Sequence, residues 1–198
     1  MASTRATQQQ DEVILIRDVI EKYFHQKPDL IINRHNKSLD KVCRSLEMIS
    51  NELRDFVREI NKDRFKELTN NIVTELKNDR PRLWRALKKI SDELFSQGIN
   101  WSHIVTFMVF CAELRCRALE HFNKDEGDKF TRLLIDWICR YFEENLMQWI
   151  NEQEGGWLDV TTTLSGREHS QKRIVISVAT LAVFVGVLYT TISSLLHR

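Results

Sequence analysis

The chain has 198 residues, and with only six glycines and two prolines it has too few turn residues for a β-rich fold. Its 29 basic and 28 acidic side chains nearly cancel, so the net charge of +1 gives no general attraction to nucleic acid or to an anionic surface. We therefore predict an all-α fold, a helical bundle whose partners are recognised by shape.

No residue pattern in the sequence indicates an enzyme or a metal site. The four cysteines make no Cys-x-x-Cys pair, and three of them lie in apolar helical stretches, which indicates reduced core residues. The six histidines lack metal-ligand spacing. The sequence also lacks a glycine-rich phosphate loop, a nucleophile elbow and a pair of carboxylates in an apolar pocket, so we expect no catalysis, metal or cofactor.

Apolar side chains recur with a helical period through the first half of the chain. We expect the polar residues 1–10 to be disordered and residues 11–163 to form the helical domain. Pro28 ends the first of three apolar stripes. The stripes are Val13, Ile16, Ile20, Tyr23 and Phe24; Val42, Leu46, Ile49, Leu53, Val57 and Ile60; and Phe65, Leu68, Ile72 and Leu76.

A fourth helix is predicted to begin at the sequence NDRP, because Pro81 is tolerated in a first helical turn. Its apolar stripe is Leu83, Leu87, Ile90 and Leu94. We expect Gly98 to end it and Asn100 to cap a further helix that begins at Trp101.

That further helix runs through residues 104–112 without a charge, so we expect it to be the central helix of the bundle. The helix predicted after NKDEGDK should pair with it as an antiparallel hairpin, through Phe130, Leu134, Ile138, Phe142 and Met147. Trp157, after two glycines, is expected to cover the base of the core.

The C-terminal residues 174–196 include no charged side chain, and at ~1.5 Å per residue they reach about 34 Å, enough to cross a membrane. We predict a transmembrane tail anchor there, joined by a polar linker at residues 164–173 to a domain in the cytosol. The alternative is a buried core helix, although a core helix of this length rarely lacks a charged face.

Two segments resemble the Bcl-2 family of apoptosis regulators. ELFSQGINWSHIVTFMVF, residues 93–110, resembles the family's first homology region, whose usual core is Asn-Trp-Gly-Arg after a glycine. WINEQEGGW resembles the second homology region in Trp149, Ile150, Gly155, Gly156 and Trp157, with one extra residue before the two glycines. The resemblance covers residues 11–198 and implies a helical bundle with a hydrophobic groove for a partner's helix.

Two stretches match the third region of the family, the death-motif helix. One is Val42, Leu46, Ile49, Ser50, Asn51 and Leu53, in which Asn51 replaces the family's Asp. The other is Leu83, Leu87, Ile90, Ser91, Asp92 and Leu94. The second runs directly into Gly98 and Asn100, where the family has its groove-wall helix, so we assign the motif to residues 42–53. For either stretch, the alternative is an amphipathic helix that faces its own core.

The resemblance also implies which residues bind the partner's helix. They are Leu53, Val57, Ile90, Leu94, Asn100, Ser102, His103, Thr106 and Phe110. In the family an Arg pairs with the ligand's Asp, and here His103 stands at that position, while Ser102 replaces a glycine. A neutral His offers one donor, and it carries a positive charge only at lower pH.

Two functions follow from the resemblance. One is a pro-survival protein that sequesters death-motif helices of pro-apoptotic relatives and holds effector relatives inactive; the other is an effector that forms pores in the mitochondrial outer membrane. Asn51 weakens the chain's own motif as a ligand and favours the pro-survival function. The expected location is the mitochondrial outer membrane or the endoplasmic reticulum, with homo- or heterodimers but no nucleic acid as partners. A tail-anchored helical domain without a groove is the third alternative.

Overall fold

The computed structural model describes residues 16–21, 23–24, 41–48, 50–51, 66–67, 69–74 and 79–160. Across these ranges the regular structure is helical and no strand occurs, which confirms the all-α prediction. The predictions for Ile49, Leu53, Val57, residues 1–10 and the linker and anchor after residue 160 lie outside them. Within the same ranges, no helix combines the length and the apolar character that crossing a membrane requires.

Four helices and a short turn follow one another in the continuous stretch 79–160. They are α1 at Arg80–Leu94, α2 at Trp101–His121, α3 at Lys124–Asn145, α4 at Met147–Glu152 and a 3₁₀ turn at Gly156–Leu158. Among the described residues, those from 50 to 131 belong to one compact unit, and those from 16 to 48 and from 132 to 160 belong to another.

The apolar stripes are buried where the structure describes them. Ile16, Ile20, Leu46 and Leu87 have no exposed surface, and Ile72 is 1% exposed, so the helical period identified their inward faces. Phe130 differs, because it is only half-buried near the α2–α3 turn.

The helix α1 begins as its sequence predicts. The Asp79 carboxylate accepts a hydrogen bond from the Arg82 backbone N–H at 3.0 Å, and Pro81 lies in the first turn. The helix ends at Leu94, earlier than Gly98, and three turn residues follow it. Gly98 then has a φ of 107°, a conformation that glycine adopts without steric cost, and this reverses the chain toward α2.

The helix α2 is apolar and enclosed over its first three turns. All nine residues from 104 to 112 are buried, as expected for a helix that is covered on every side. Twelve of its residues are buried in total, and they end at Ala118, beyond which the helix becomes exposed.

The helix α3 starts earlier than predicted, because its first turns lie within the sequence NKDEGDK. The Asn123 side chain accepts a hydrogen bond from the Glu126 backbone N–H at 3.0 Å, which caps the new helix. Asp125 and Glu126 then lie in its first turn, where negative charge stabilises the helix dipole.

A close approach joins the end of α2 to the start of α3. A Cβ atom at Gly127 would lie 2.8 Å from Leu119 Cδ2, so the glycine allows this packing. The rings of Phe122 and Phe130 meet edge to face at 5.8 Å. These contacts form the tip of the predicted helical hairpin.

In the other unit, Trp157 is buried and stacks on Phe142, with ring centroids 5.8 Å apart. Arg17 joins the N-terminal helical segment to α3 by donating a hydrogen bond to the Asp136 carboxylate at 2.6 Å. Both partners of this ion pair are about half exposed, at 47% and 50%, so its contribution to stability is small.

The prediction of reduced core cysteines is confirmed for three residues. Cys43, Cys111 and Cys139 are buried, and none of the four cysteines forms a disulfide. Cys116 is exposed, because it lies in the part of α2 that extends beyond the buried face. Burial raises the pKa of the Cys139 thiol to about 11 and that of Cys111 well above its usual range.

Candidate functional site

The candidate site is the corner between α1 and α2, at residues 95–103. Asn100 begins α2 as predicted: its side-chain oxygen accepts a hydrogen bond from the His103 backbone N–H at 2.9 Å. The two helices also pack against each other, which holds the corner at a fixed position. A polar cap therefore lies directly beside the apolar start of the enclosed helix.

The His103 side chain is part of this corner. Its ring atom Nδ1 lies 2.7 Å from the Gly98 carbonyl oxygen and 3.2 Å from the Asn100 side-chain nitrogen. A carbonyl oxygen can only accept, so we assign the proton to Nδ1, which donates to Gly98. Nε2 is then the remaining polar atom of the ring. In the neutral ring it is an acceptor, and in the imidazolium it becomes a donor.

Phe95 supports this arrangement and was missed in the sequence. Its ring meets the His103 ring edge to face at 6.2 Å and the Phe107 ring at 5.9 Å. Phe95 is half-buried, whereas Phe107 has no exposed surface, so Phe95 links the surface to the core. The sequence feature that could have identified Phe95 is its position directly after Leu94, at the end of the apolar stripe of α1.

The predicted groove residues occupy two depths. Asn100 is exposed, and Ser102 and His103 are half-buried. Ile90, Thr106 and Phe110 have no exposed surface, and Leu94 is 7% exposed, because α1 packs onto α2 at this level. The structure thus brings the polar candidates together at the surface and puts the apolar candidates beneath them. The Thr106 hydroxyl is buried, and it makes no hydrogen bond within the described part of the chain.

The helix assigned as the death motif turns its apolar face inward. Val42 is 3% exposed, Leu46 is fully buried and Ser50 is 1% exposed, while Asn51 lies on the exposed face. The alternative stretch in α1 has the same pattern: its leucines are buried, and Asp92 is exposed and paired with Lys88 at 2.7 Å. Burial alone therefore does not choose between the two stretches.

The second homology region ends in a turn that requires its two glycines. A Cβ atom at Gly155 would lie 3.1 Å from the Asp159 backbone nitrogen, closer than most side chains allow. Gly156 has a φ of 50°, in the left-handed region that disfavours other residues. Ile150 is buried and Trp149 is half-buried just before this turn. The glycines thus direct the chain so that Trp157 reaches Phe142.

No group of His, Cys, Asp and Glu side chains in the described ranges is arranged to hold a metal ion. The arrangement at the α1–α2 corner instead offers hydrogen bonds and apolar surface. Such a surface suits the binding of a peptide or a helix.

Comparisons with known proteins agree with this arrangement. The family described as "Apoptosis regulator proteins, Bcl-2 family" matches residues 53–157, which is more than half of the chain. "Apoptosis regulator R1" of Xenopus laevis is 33% identical over 95 residues, covering 48% of this chain and 40% of that protein. Human "Bcl-2-like protein 1" is 27% identical over 94 residues, covering 48% and 38%. Bovine "Apoptosis regulator BAX" is 28% identical over 87 residues, covering 43% and 42%.

The match spans about two fifths of the length of these relatives. Its residue range includes the α1–α2 corner and, separately, the Gly-Gly-Trp sequence. On the extent of the family match, the chain belongs to the Bcl-2 family of apoptosis regulators.

Proposed function

We propose that the protein is a pro-survival regulator that binds the death-motif helices of pro-apoptotic relatives. The observation that carries the proposal is Asn51, which is exposed on a helix whose apolar face is buried. A motif that acts as a ligand presents a carboxylate to a partner's cation, and an amide in its place forgoes the charge-assisted bond. The chain is therefore better suited to receive such a helix than to supply one.

The α1–α2 corner is the proposed binding site. A partner's helix needs apolar contacts at one-turn spacing and one polar contact that sets its register. Phe95 offers half-buried apolar surface, and His103 Nε2 offers the polar contact to the ligand's Asp. The family resemblance also assigns Leu53 and Val57 to the groove, and both lie outside the described residues.

Alanine substitutions of matched phenylalanines test this site. Phe95→Ala should weaken the binding of a peptide with a Leu-x-x-hydrophobe-Gly-Asp core by about fivefold or more, because interface anchors typically contribute 1 kcal/mol or more. Phe130→Ala is the control, since Phe130 is also half-buried and its ring meets the Phe122 ring edge to face near the opposite end of α2. Equal weakening by both variants would indicate general unfolding. Phe110 and Ile90 are unsuitable probes, because alanine there would open a cavity in the core.

The chain's organisation is proposed from its sequence. Residues 11–163 form the Bcl-2-like domain, residues 164–173 the linker and residues 174–196 a tail anchor in the mitochondrial outer membrane or the endoplasmic reticulum. The support for the anchor is its charge-free length, with Lys172 and Arg173 before it and Arg198 after it. An anchored domain would meet partners that reside on, or move to, the same membrane.

The second candidate is a pore-forming effector of the same family, which the similarity to bovine BAX favours. Such a protein would have to expose the apolar residues 104–112 that are buried here. Dye-loaded liposomes distinguish the two candidates. A pro-survival protein blocks the release of dye by an added effector, whereas an effector releases dye by itself when an activating death-motif peptide is present. Release by this chain alone with the peptide would overturn the pro-survival proposal.

A further inference from the structure

Several hydroxyl side chains within the described helices bond to the backbone of their own helix. Thr131 donates to the Gly127 carbonyl oxygen at 2.9 Å, and Ser91 donates to the Leu87 carbonyl oxygen at 2.8 Å. Helical Ser and Thr commonly form this bond to the carbonyl four residues earlier. Thr106 also lies inside a helix, but its buried hydroxyl makes no such bond within the described part of the chain. The unbound chain therefore leaves the Thr106 donor unused.

An unpaired hydroxyl in the interior is unfavourable, and Thr106 lies in the most apolar part of α2. It has no exposed surface, and it is the only residue of the stretch 104–112 with an oxygen or nitrogen in its side chain. Valine has nearly the same shape without the hydroxyl, so one substitution would avoid the cost of burying it. A buried donor that is unpaired in the unbound chain points to a partner that comes from outside the chain.

Ser102 connects this buried hydroxyl to the surface of the α1–α2 corner. It is half-buried and lies one turn before Thr106, on the same side of α2. Its hydroxyl also makes no hydrogen bond among the described residues. His103, the proposed contact for the ligand's Asp, is three residues before Thr106 and thus its neighbour on the helix surface. We call Ser102 and Thr106 the hydroxyl pair.

We propose that the hydroxyl pair favours partner helices that carry a serine directly before the Asp, where the peptide above has glycine. The inference rests on the proposed function, because it takes His103 as the contact for the Asp. The partner's serine is then one residue from the Asp, within reach of Ser102 and of Thr106 beneath it. A hydroxyl donates one hydrogen bond and accepts two, so three hydroxyls can pair with one another. Both stretches of this chain that match the motif have serine at this position, as Ser50 and Ser91.

The two members of the pair have different roles in binding. Ser102 is partly exposed in the unbound chain, so it meets the partner's serine first. Thr106 has no exposed surface, so the side chains that cover it have to move before it can bond to the partner. A hydrogen bond made away from water is stronger, and this gain offsets the cost of the movement. The preference for serine should therefore depend more on Thr106 than on Ser102.

Three peptides that differ at one residue test the proposal. They carry Ser, Ala or Gly before the Asp of the Leu-x-x-hydrophobe-x-Asp core, and their affinity for the full chain is measured by fluorescence anisotropy of the labelled peptide. We define the serine preference as the ratio of the affinities for the Ser and Ala peptides, which differ by one oxygen. The parent chain should bind the Ser peptide more tightly. Comparing the ratio between variants cancels the difference in helix propensity between the two peptides.

Variants of the chain assign the preference to the buried hydroxyl. Thr106→Val should lower the serine preference about fivefold, which corresponds to about 1 kcal/mol, because it removes the hydroxyl and keeps the shape. It should unfold at a temperature no lower than the parent, since the lost hydroxyl is unpaired in the described part of the unbound chain. Thr106→Ser keeps a hydroxyl and should keep the preference. Thr131→Val is the matched control, because Thr131 is also buried but bonds to its own helix, and it should leave the preference unchanged.

The possible failures are distinguishable. Equal binding of the Ser and Ala peptides, or a serine preference that Thr106→Val leaves unchanged, would overturn this inference and leave the proposed function in place. A strong preference for the Gly peptide would mean that Ser102 acts through its bulk alone, and would overturn the inference as well. A lower unfolding temperature of Thr106→Val would show that the hydroxyl already has a partner in the unbound chain. Absence of binding by all three peptides would overturn the proposed function together with this inference.

Discussion

His103 provides the sharpest test of how this protein would recognise a death-motif helix. In the neutral ring, Nδ1 donates to the Gly98 carbonyl, so Nε2 carries a lone pair and repels a carboxylate. When the ring gains a proton, Nε2 becomes a charged donor and can bind the ligand's Asp. The complex therefore takes up a proton, and affinity should rise as the pH falls, as long as the ligand's Asp stays ionised.

The size of the effect follows from this geometry. A hydrogen bond to a charged group contributes about 1.5–3 kcal/mol, which corresponds to a factor of about 10–100 in affinity between the neutral and the charged ring. Between about pH 8 and about pH 6 the affinity should therefore rise about tenfold. Isothermal titration of the chain truncated before Ile174 with the Leu-x-x-hydrophobe-Gly-Asp peptide measures this change.

Three controls isolate His103. A peptide with Asn in place of Asp should lose most of the pH dependence, and His103→Arg should bind more tightly at about pH 7.5 with little dependence on pH. His121→Gln removes another exposed imidazole, at the opposite end of α2, and should leave the pH dependence unchanged. Because His103→Arg also loses the bond to Gly98, its thermal unfolding must be measured alongside. An affinity that stays constant with pH, with His103→Arg no tighter than the parent, would refute the reasoning.

Three further predictions concern stability, reactivity and location. Asn100→Ala removes the cap of α2 and should lower the free energy of unfolding by about 1 kcal/mol, measured in urea with an unchanged m value. Iodoacetamide at neutral pH should label Cys116 in the folded protein but not Cys111 or Cys139, because the latter two thiols are buried and their pKa values are raised. Mass spectrometry detects the label, and rapid labelling of Cys111 would contradict its burial. A fluorescent protein fused to residues 164–198 should move to mitochondrial or reticulum membranes, and a uniform cytosolic signal would exclude the anchor.

The sequence by itself determined where most helices start and which face of each is buried. Asn100 and Asp79 cap their helices, and Leu87 and Leu46 face inward, because capping and helical period act over three or four residues. The predicted start of α3, after NKDEGDK, is too late, although Asn123 and the acidic residues Asp125 and Glu126 have the pattern of a cap and a first helical turn.

Only the tertiary structure decided how deep each side chain lies and what it meets. Phe110 and Ile90 are fully buried because α1 packs onto α2, whereas Phe130 is half-exposed near the end of its hairpin. The hydrogen bond from His103 Nδ1 to the Gly98 carbonyl oxygen depends on the turn at residues 95–98. This turn brings the two atoms, which belong to residues five positions apart, to a distance of 2.7 Å. Depth and partners depend on neighbours distant in sequence or on turn geometry, and a local pattern of apolar residues contains neither.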